Sequence, residues 1–211
     1  MCNNLLVATA ENDKVLLKIE YDDMNESPRE WDNLGTMVCW KRNYILGDDH
    51  NYDNNREFME VLSEELSDIE PERLYSKTDE QLMSIIEKYA VILPIYKYEH
   101  SGISLNTKGF SCRWDSGQVG WIYVTKKQVR EEYGAKRVSQ KLKERIEDYL
   151  KGEVDTYSQY VAGEVFGFIL EDKETGNEID SCWGFYGYDF TTNGMAEHLP
   201  EEYVHLLKEV G

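Results

Sequence analysis

The 211-residue chain reads as an α+β protein, a mainly antiparallel sheet packed with several helices. Three observations carry that reading. Apolar and alternating runs of strand character recur along the chain. Two threonines, each followed by a glutamine three residues on, open amphipathic helices. The two kinds of segment mix without the regular β-α-β alternation of a parallel sheet. No repeat, low-complexity stretch or linker divides the sequence, so the simplest count is one domain over residues 1–211.

In chain order, "KVLLKIEYDD" (14–23) alternates and predicts a strand, and "MNESPREWDN" predicts a loop in which Ser27 and Pro28 start a short helical turn. "GTMVCWKRNYIL" (35–46) predicts a second strand. "REFMEVLSEELSDI" predicts a helix with Phe58, Val61, Leu62 and Ile69 along one stripe, broken by Glu65. Thr78 and Gln81 form a capping-box pattern ahead of Leu82, Ile85, Ile86 and Tyr89. "VILPIYKYEHSGISL" follows as a strand, where Pro94 calls for an edge or a bulge.

Next come a strand "GQVGWIYVT", a second capping pattern at Thr125 and Gln128, and a helix 137–151. That helix carries Val138, Leu142, Ile146, Tyr149 and Leu150 on one face and is expected to stop at Gly152. Residues 156–186 then predict two strands around a turn at Thr175, Gly176 and Asn177, and a short helix follows Pro200.

Composition limits function. With 41% hydrophobic and 12% aromatic residues the chain folds despite its net charge of −18. No segment reaches the length of a membrane span, and "MCNNLLVATAEN" lacks signal-peptide character, so a cytoplasmic protein is expected. Residues 1–100 carry 22 acids and 10 bases, 126–151 carry 5 acids and 9 bases, and 152–211 carry 13 acids and 2 bases. Two acidic regions flank one basic stretch, and such a field disfavours direct nucleic-acid binding.

Cys2, Cys39, Cys112 and Cys182 form no C-x-x-C pair, which points to incidental or buried thiols. His50, His100, His198 and His205 are isolated, and no phosphate-binding loop, nucleophile elbow or dinucleotide fingerprint occurs. A standard hydrolase, kinase or dinucleotide enzyme is therefore not indicated.

"LGDDHNYDNNREFMEVL" (46–62) poses the sharpest question. Counted from Asp49, the residues Asn51, Asp53, Asn55, Glu57 and Glu60 fall at positions 3, 5, 7, 9 and 12, the ligand spacing of an EF-hand calcium loop. Position 6 is Asn54 instead of glycine, position 8 is Arg56, and the entering segment has strand character. The competing reading is a polar turn in which Asp53 or Asn54 caps the following helix. A catalytic reading would gather Asp32, Asp48, Asp115 and Asp189 with His50 or His100 into a metal or acid–base site.

Three blocks, "ESPREWDNLGTMVCW", "WDSGQVGWIYVTKKQVREEYG" and "DSCWGFYG", resemble a family of uncharacterised proteins encoded by bacteriophages and other mobile elements. In that family SPREWDNLGTM, WDSGQVGFIYV and GFYG blocks recur in this order. The resemblance implies a viral or mobile-element setting and transfers no catalytic residue. Physically, Trp31 is expected to anchor its loop on the core, Trp114 and Trp121 to pack around a turn, and Gly184 and Gly187 to permit a bulge or close strand approach.

The leading expectation is a non-enzymatic binder of a basic host protein, such as a nucleic-acid-processing defence enzyme, acting by charge mimicry in anti-restriction or anti-CRISPR fashion. Its partner-binding residues are Glu57, Glu60, Glu64, Glu65, Asp68 and Glu70. The alternatives are a calcium-binding structural protein using Asp49, Asn51, Asp53, Asn55, Glu57 and Glu60, and a small metal-dependent enzyme.

Overall fold

A computed structural model describes residues 6–40 and 45–210. Cys2 and residues 41–44 of the expected second strand lie outside the described residues. In order the elements are β1 (Leu6–Glu11), β2 (Val15–Tyr21), a 3-10 turn (Pro28–Glu30), β3 (Thr36–Cys39), α1 (Asn55–Leu66), α2 (Pro71–Tyr75), α3 (Asp79–Tyr89), β4 (Ala90–Glu99), β5 (Ile103–Asn106), β6 (Ser116–Thr125), α4 (Lys126–Glu132), α5 (Gln140–Val161), β7 (Val165–Asp172), β8 (Glu178–Tyr186), α6 (Met195–His198) and a 3-10 helix (Glu201–Lys208). The fold is α+β, with two four-stranded antiparallel sheets.

The chain groups into two compact units, residues 29–155 and the described residues flanking them, 6–28 and 156–210. The flanking unit holds the sheet β1-β2-β7-β8. Alternation in β2 buries Val15, Leu17 and Ile19, whereas β7 is buried almost continuously at Val165, Phe166, Phe168 and Leu170. Met195, Leu199, Leu206 and Leu207 of the C-terminal helices complete this core. Each fully buried side chain of this size contributes roughly 1.5–3 kcal/mol. Gly184 is the extra residue of a bulge, since Phe166 pairs with Phe185 and Gly167 already with Trp183, and its φ of 89° suits glycine. Strand β1 had no clear signal in the sequence.

The central unit holds the sheet β3-β6-β4-β5. Pro94 sits opposite Trp121 where β5 has not yet begun to pair, because that pairing starts at Tyr96, and a bulge follows at Ile95. The proline thus occupies a locally unpaired edge beside a bulge, as its missing N–H requires. Both capping boxes form, at Thr78–Gln81 and Thr125–Gln128. Phe58, Met59 and Leu62 of α1 meet Leu74, Leu82 and Ile86 in one core. Val61 and Ile69 are only partly buried, so the stripe on α1 is narrower than the spacing suggested, and Tyr89 is exposed instead of joining the stripe of α3.

Helix α5 corrects two expectations. It does not stop at Gly152 but runs on to Val161, and residues 156–161 are therefore helical, with the hairpin starting at Val165. Its buried residues Ile146, Leu150, Val154 and Tyr157 follow one helical stripe straight past the glycine. The true stop is at Gly163, with φ of 75°, where Gly163 N donates to Tyr160 O and Glu164 N to Gln159 O.

Candidate functional site

Helix α1 is placed by its cap and its core stripe. Asn54 is the N-cap, its side chain accepting from Glu57 N at 3.0 Å, and Asp53 N donates to Glu57 Oε2 at 2.6 Å. With Phe58, Met59 and Leu62 turned inward, Glu64 and Glu65 are left in solvent. Asp68 and Glu70, in the link to α2, are exposed as well.

The six acids expected to form a binding face therefore divide. Glu57 and Glu60 are half-buried and engaged, Glu57 on Asp53 N and Glu60 on Arg56 Nε at 2.7 Å. Arg56 also donates to Asp79 at 2.7 Å, and the hydrogen bonds to Asp79 and Glu60 raise its pKa. Glu64, Glu65, Asp68 and Glu70 stand clear of any ion pair among the described residues.

The 49–60 loop engages the side-chain oxygens of only its last three expected ligands within the protein. Asn55 Oδ1 accepts from Trp121 Nε1 at 2.6 Å, Glu57 and Glu60 hold the partners just named, and Asp49, Asn51 and Asp53 are exposed. No group of three or more His, Cys, Asp or Glu side chains poised for a metal ion occurs among the described residues. The expected Asn55 ligand is its backbone carbonyl, which the Trp121 bond to Oδ1 leaves untouched, so a calcium ion taking the six expected ligands would have to displace Arg56 from Glu60.

His50 belongs to an aromatic cluster instead. Its Nδ1 accepts from Tyr52 N at 3.3 Å, which leaves Nε2 to donate to Cys39 O at 2.8 Å, and its ring stacks on Tyr52 and meets Trp40 edge-on. The Phe58 ring meets both Trp40 and Tyr52 edge-on. An open hollow of about 870 Å3 beside them is lined, among the described residues, by Cys39, Trp40, Leu46, Asp48, His50 and Tyr52. Burial and the charge of Asp48 push the Cys39 thiol up to about 12, so it is no nucleophile at neutral pH.

Asp48 is tied to a residue that sequence reasoning passed over. Arg29 grips it with two hydrogen bonds, reaches Glu153 through Nη1 at 2.8 Å, and donates to Gly35 O at 2.6 Å. Glu153 Oε1 accepts from Leu34 N and Gly35 N, and Asp48 Oδ2 accepts from Met37 N. The Arg29 and Glu153 side chains are 6% and 7% exposed. Burial works against the guanidinium charge, yet the bonds to both carboxylates outweigh it and the pKa rises. This network ties Arg29, Leu34 and Gly35 to Asp48 and Glu153 within the central unit. No local pattern announces it, because Arg29 and Glu153 lie 124 positions apart.

The other expected catalytic residues are dispersed. Asp32 is exposed, and Asp189 is in the flanking unit with its pKa lowered by hydrogen bonds from Thr191 and Thr192. Only Asp115 and His100 approach each other, at 3.7 Å on the surface. Of the tryptophans expected to pack, Trp31 is 49% exposed and Trp114 is 96% exposed and so does not pack around its turn, whereas Trp121 packs against the α1 core.

No family model, curated protein or solved structure matches the chain.

Proposed function

We propose that the protein is a non-enzymatic acidic binder of a basic host protein, whose exposed carboxylates stand in for nucleic-acid phosphates. The partner of this chemistry is a nucleic-acid-processing defence enzyme, and inhibition of restriction or CRISPR interference is the outcome the charge mimicry would produce. The phage or mobile-element setting, in the cytoplasm of the host cell, follows from the resemblance of the three sequence blocks. Consistent with that setting, no described helix is long and apolar enough to cross a membrane.

One observation carries the reading. Glu64 and Glu65 sit in the last turn of α1, and that turn itself holds no basic residue. Acids there oppose the helix dipole at about 0.3–1 kcal/mol each, so stability does not explain them. A helix that only needs solubility intersperses lysines with its acids. Here the acidic run continues through Asp68, Glu70 and Glu72 in solvent.

The test is capture from host extract with the wild type and with an E64Q/D68N/E70Q variant, followed by identification of what the wild type alone retains. A basic nucleic-acid enzyme displaced by duplex DNA is expected. Equal retention by both proteins would overturn the proposal.

A further inference from the structure

The basic stretch noted in the sequence plays no part in that proposal, and the fold gives it a place. Lys126 Nζ donates to Glu87 O at 2.7 Å and Lys88 O at 3.0 Å, which ties the start of α4 to the end of α3. A hollow of about 280 Å3 opens at this junction, lined by Lys88, Tyr89, Lys126, Lys127, Arg130 and Glu65 among others.

Lys88, Lys127 and Arg130 make no ion pair among the described residues, in a chain with 41 acids to choose from. Lys143 of α5 adds a further positive field: burial first, and then that neighbouring charge, lower the Lys126 pKa, while Glu87 opposes the shift. Tyr89 is 44% exposed beside the cations.

We infer that this hollow binds a mononucleotide, with the phosphate on Lys88, Lys127 and Arg130, the base against the Tyr89 ring, and the ribose hydroxyls on Glu65. The parts match the ligand chemically. Unpaired cations gathered in one place are relieved by a phosphate dianion, and arginine and lysine are its usual partners. An exposed tyrosine offers any base a stacking face. A carboxylate is misplaced in a plain anion site but suits a ribose, whose hydroxyls donate to it. The volume is small for a ligand pocket, and the net charge of −18 repels a long polyanion, so one nucleotide fits better than a duplex.

The whole protein is titrated calorimetrically with AMP, adenosine and inorganic phosphate. AMP should bind at least tenfold more tightly than either fragment. Lys127→Gln with Arg130→Gln should weaken AMP at least tenfold with the melting temperature kept, and Tyr89→Leu should reduce AMP to the level of phosphate. A 5′-phosphorylated hexanucleotide that displaces AMP assigns the site to a strand end, and one that fails to do so assigns it to the free nucleotide. AMP binding no tighter than adenosine, or indifferent to the Lys127 and Arg130 changes, would overturn the inference. None of these variants touches the acids neutralised in the partner test, so the two proposals fail separately.

Discussion

Arg29 holds Asp48 in a two-point grip, Nε to Oδ1 at 2.7 Å and Nη2 to Oδ2 at 2.9 Å, while its third nitrogen reaches Glu153. One guanidinium thus neutralises two carboxylates that also cap the backbone at Leu34, Gly35 and Met37. Removing the cation leaves Glu153 buried without its partner, and breaking such a pair costs about 3–5 kcal/mol. Arg29→Met should lose that much in urea unfolding, and Arg29→Lys should recover only part, because lysine cannot form the fork. A loss below about 1 kcal/mol would mean that the loop is held by packing alone.

Gly152 lies inside α5 on an exposed position with open space where a Cβ would go. Gly152→Ala should therefore stabilise the protein by about 0.5–1 kcal/mol, as glycine is a poor residue in a helix interior. If the helix instead stopped there in the left-handed conformation, alanine would destabilise it. Thermal unfolding of the single variant separates the two.

Asn54 caps α1, so Asn54→Ala should cost about 1 kcal/mol and Asn54→Ser far less. With Glu60 engaged by Arg56 and no cluster of three metal-ligating side chains among the described residues, millimolar calcium should leave the melting temperature where chelator leaves it. A native-state ligand stabilises by RT ln(1 + [L]/Kd), so a calcium-dependent rise that Glu60→Gln removes would restore the metal reading.

The single-domain expectation from the sequence has its own test, because the boundary between the two compact units falls within α5 near Asp155. One cooperative calorimetric transition is expected. Two resolved transitions, or a protease-resistant core confined to residues 29–155, would establish two domains.

What the sequence revealed depended on how local the signal was. The capping boxes at Thr78 and Thr125 need four residues each, and both formed. The turn at Thr175–Asn177 and the Pro94 edge were legible for the same reason. The second half of α5 was not, because Thr156, Tyr157, Tyr160 and Val161 favour strands, and only the stripe Ile146, Leu150, Val154, Tyr157 contradicts them. The acidic face was half legible: residue type predicted its charge, but not that Glu57 and Glu60 turn back onto the helix start. Arg29, Glu153 and the Lys88–Arg130 hollow depend on contacts far apart in sequence, which no window can register.

On the proposed function, exposed carboxylates from Glu64 to Glu70 recruit a basic partner by charge. The most direct measurement is the association rate of the captured host protein with the wild type and with E64Q/D68N/E70Q, across a salt series. Charge steering acts on encounter, so the wild-type rate should fall steeply as salt rises, and the variant should associate several-fold more slowly with a shallower salt slope. Its melting temperature should be equal or higher, because an acid is removed from a helix C-terminus. Association that ignores salt and proceeds equally fast with the neutralised helix would contradict the account.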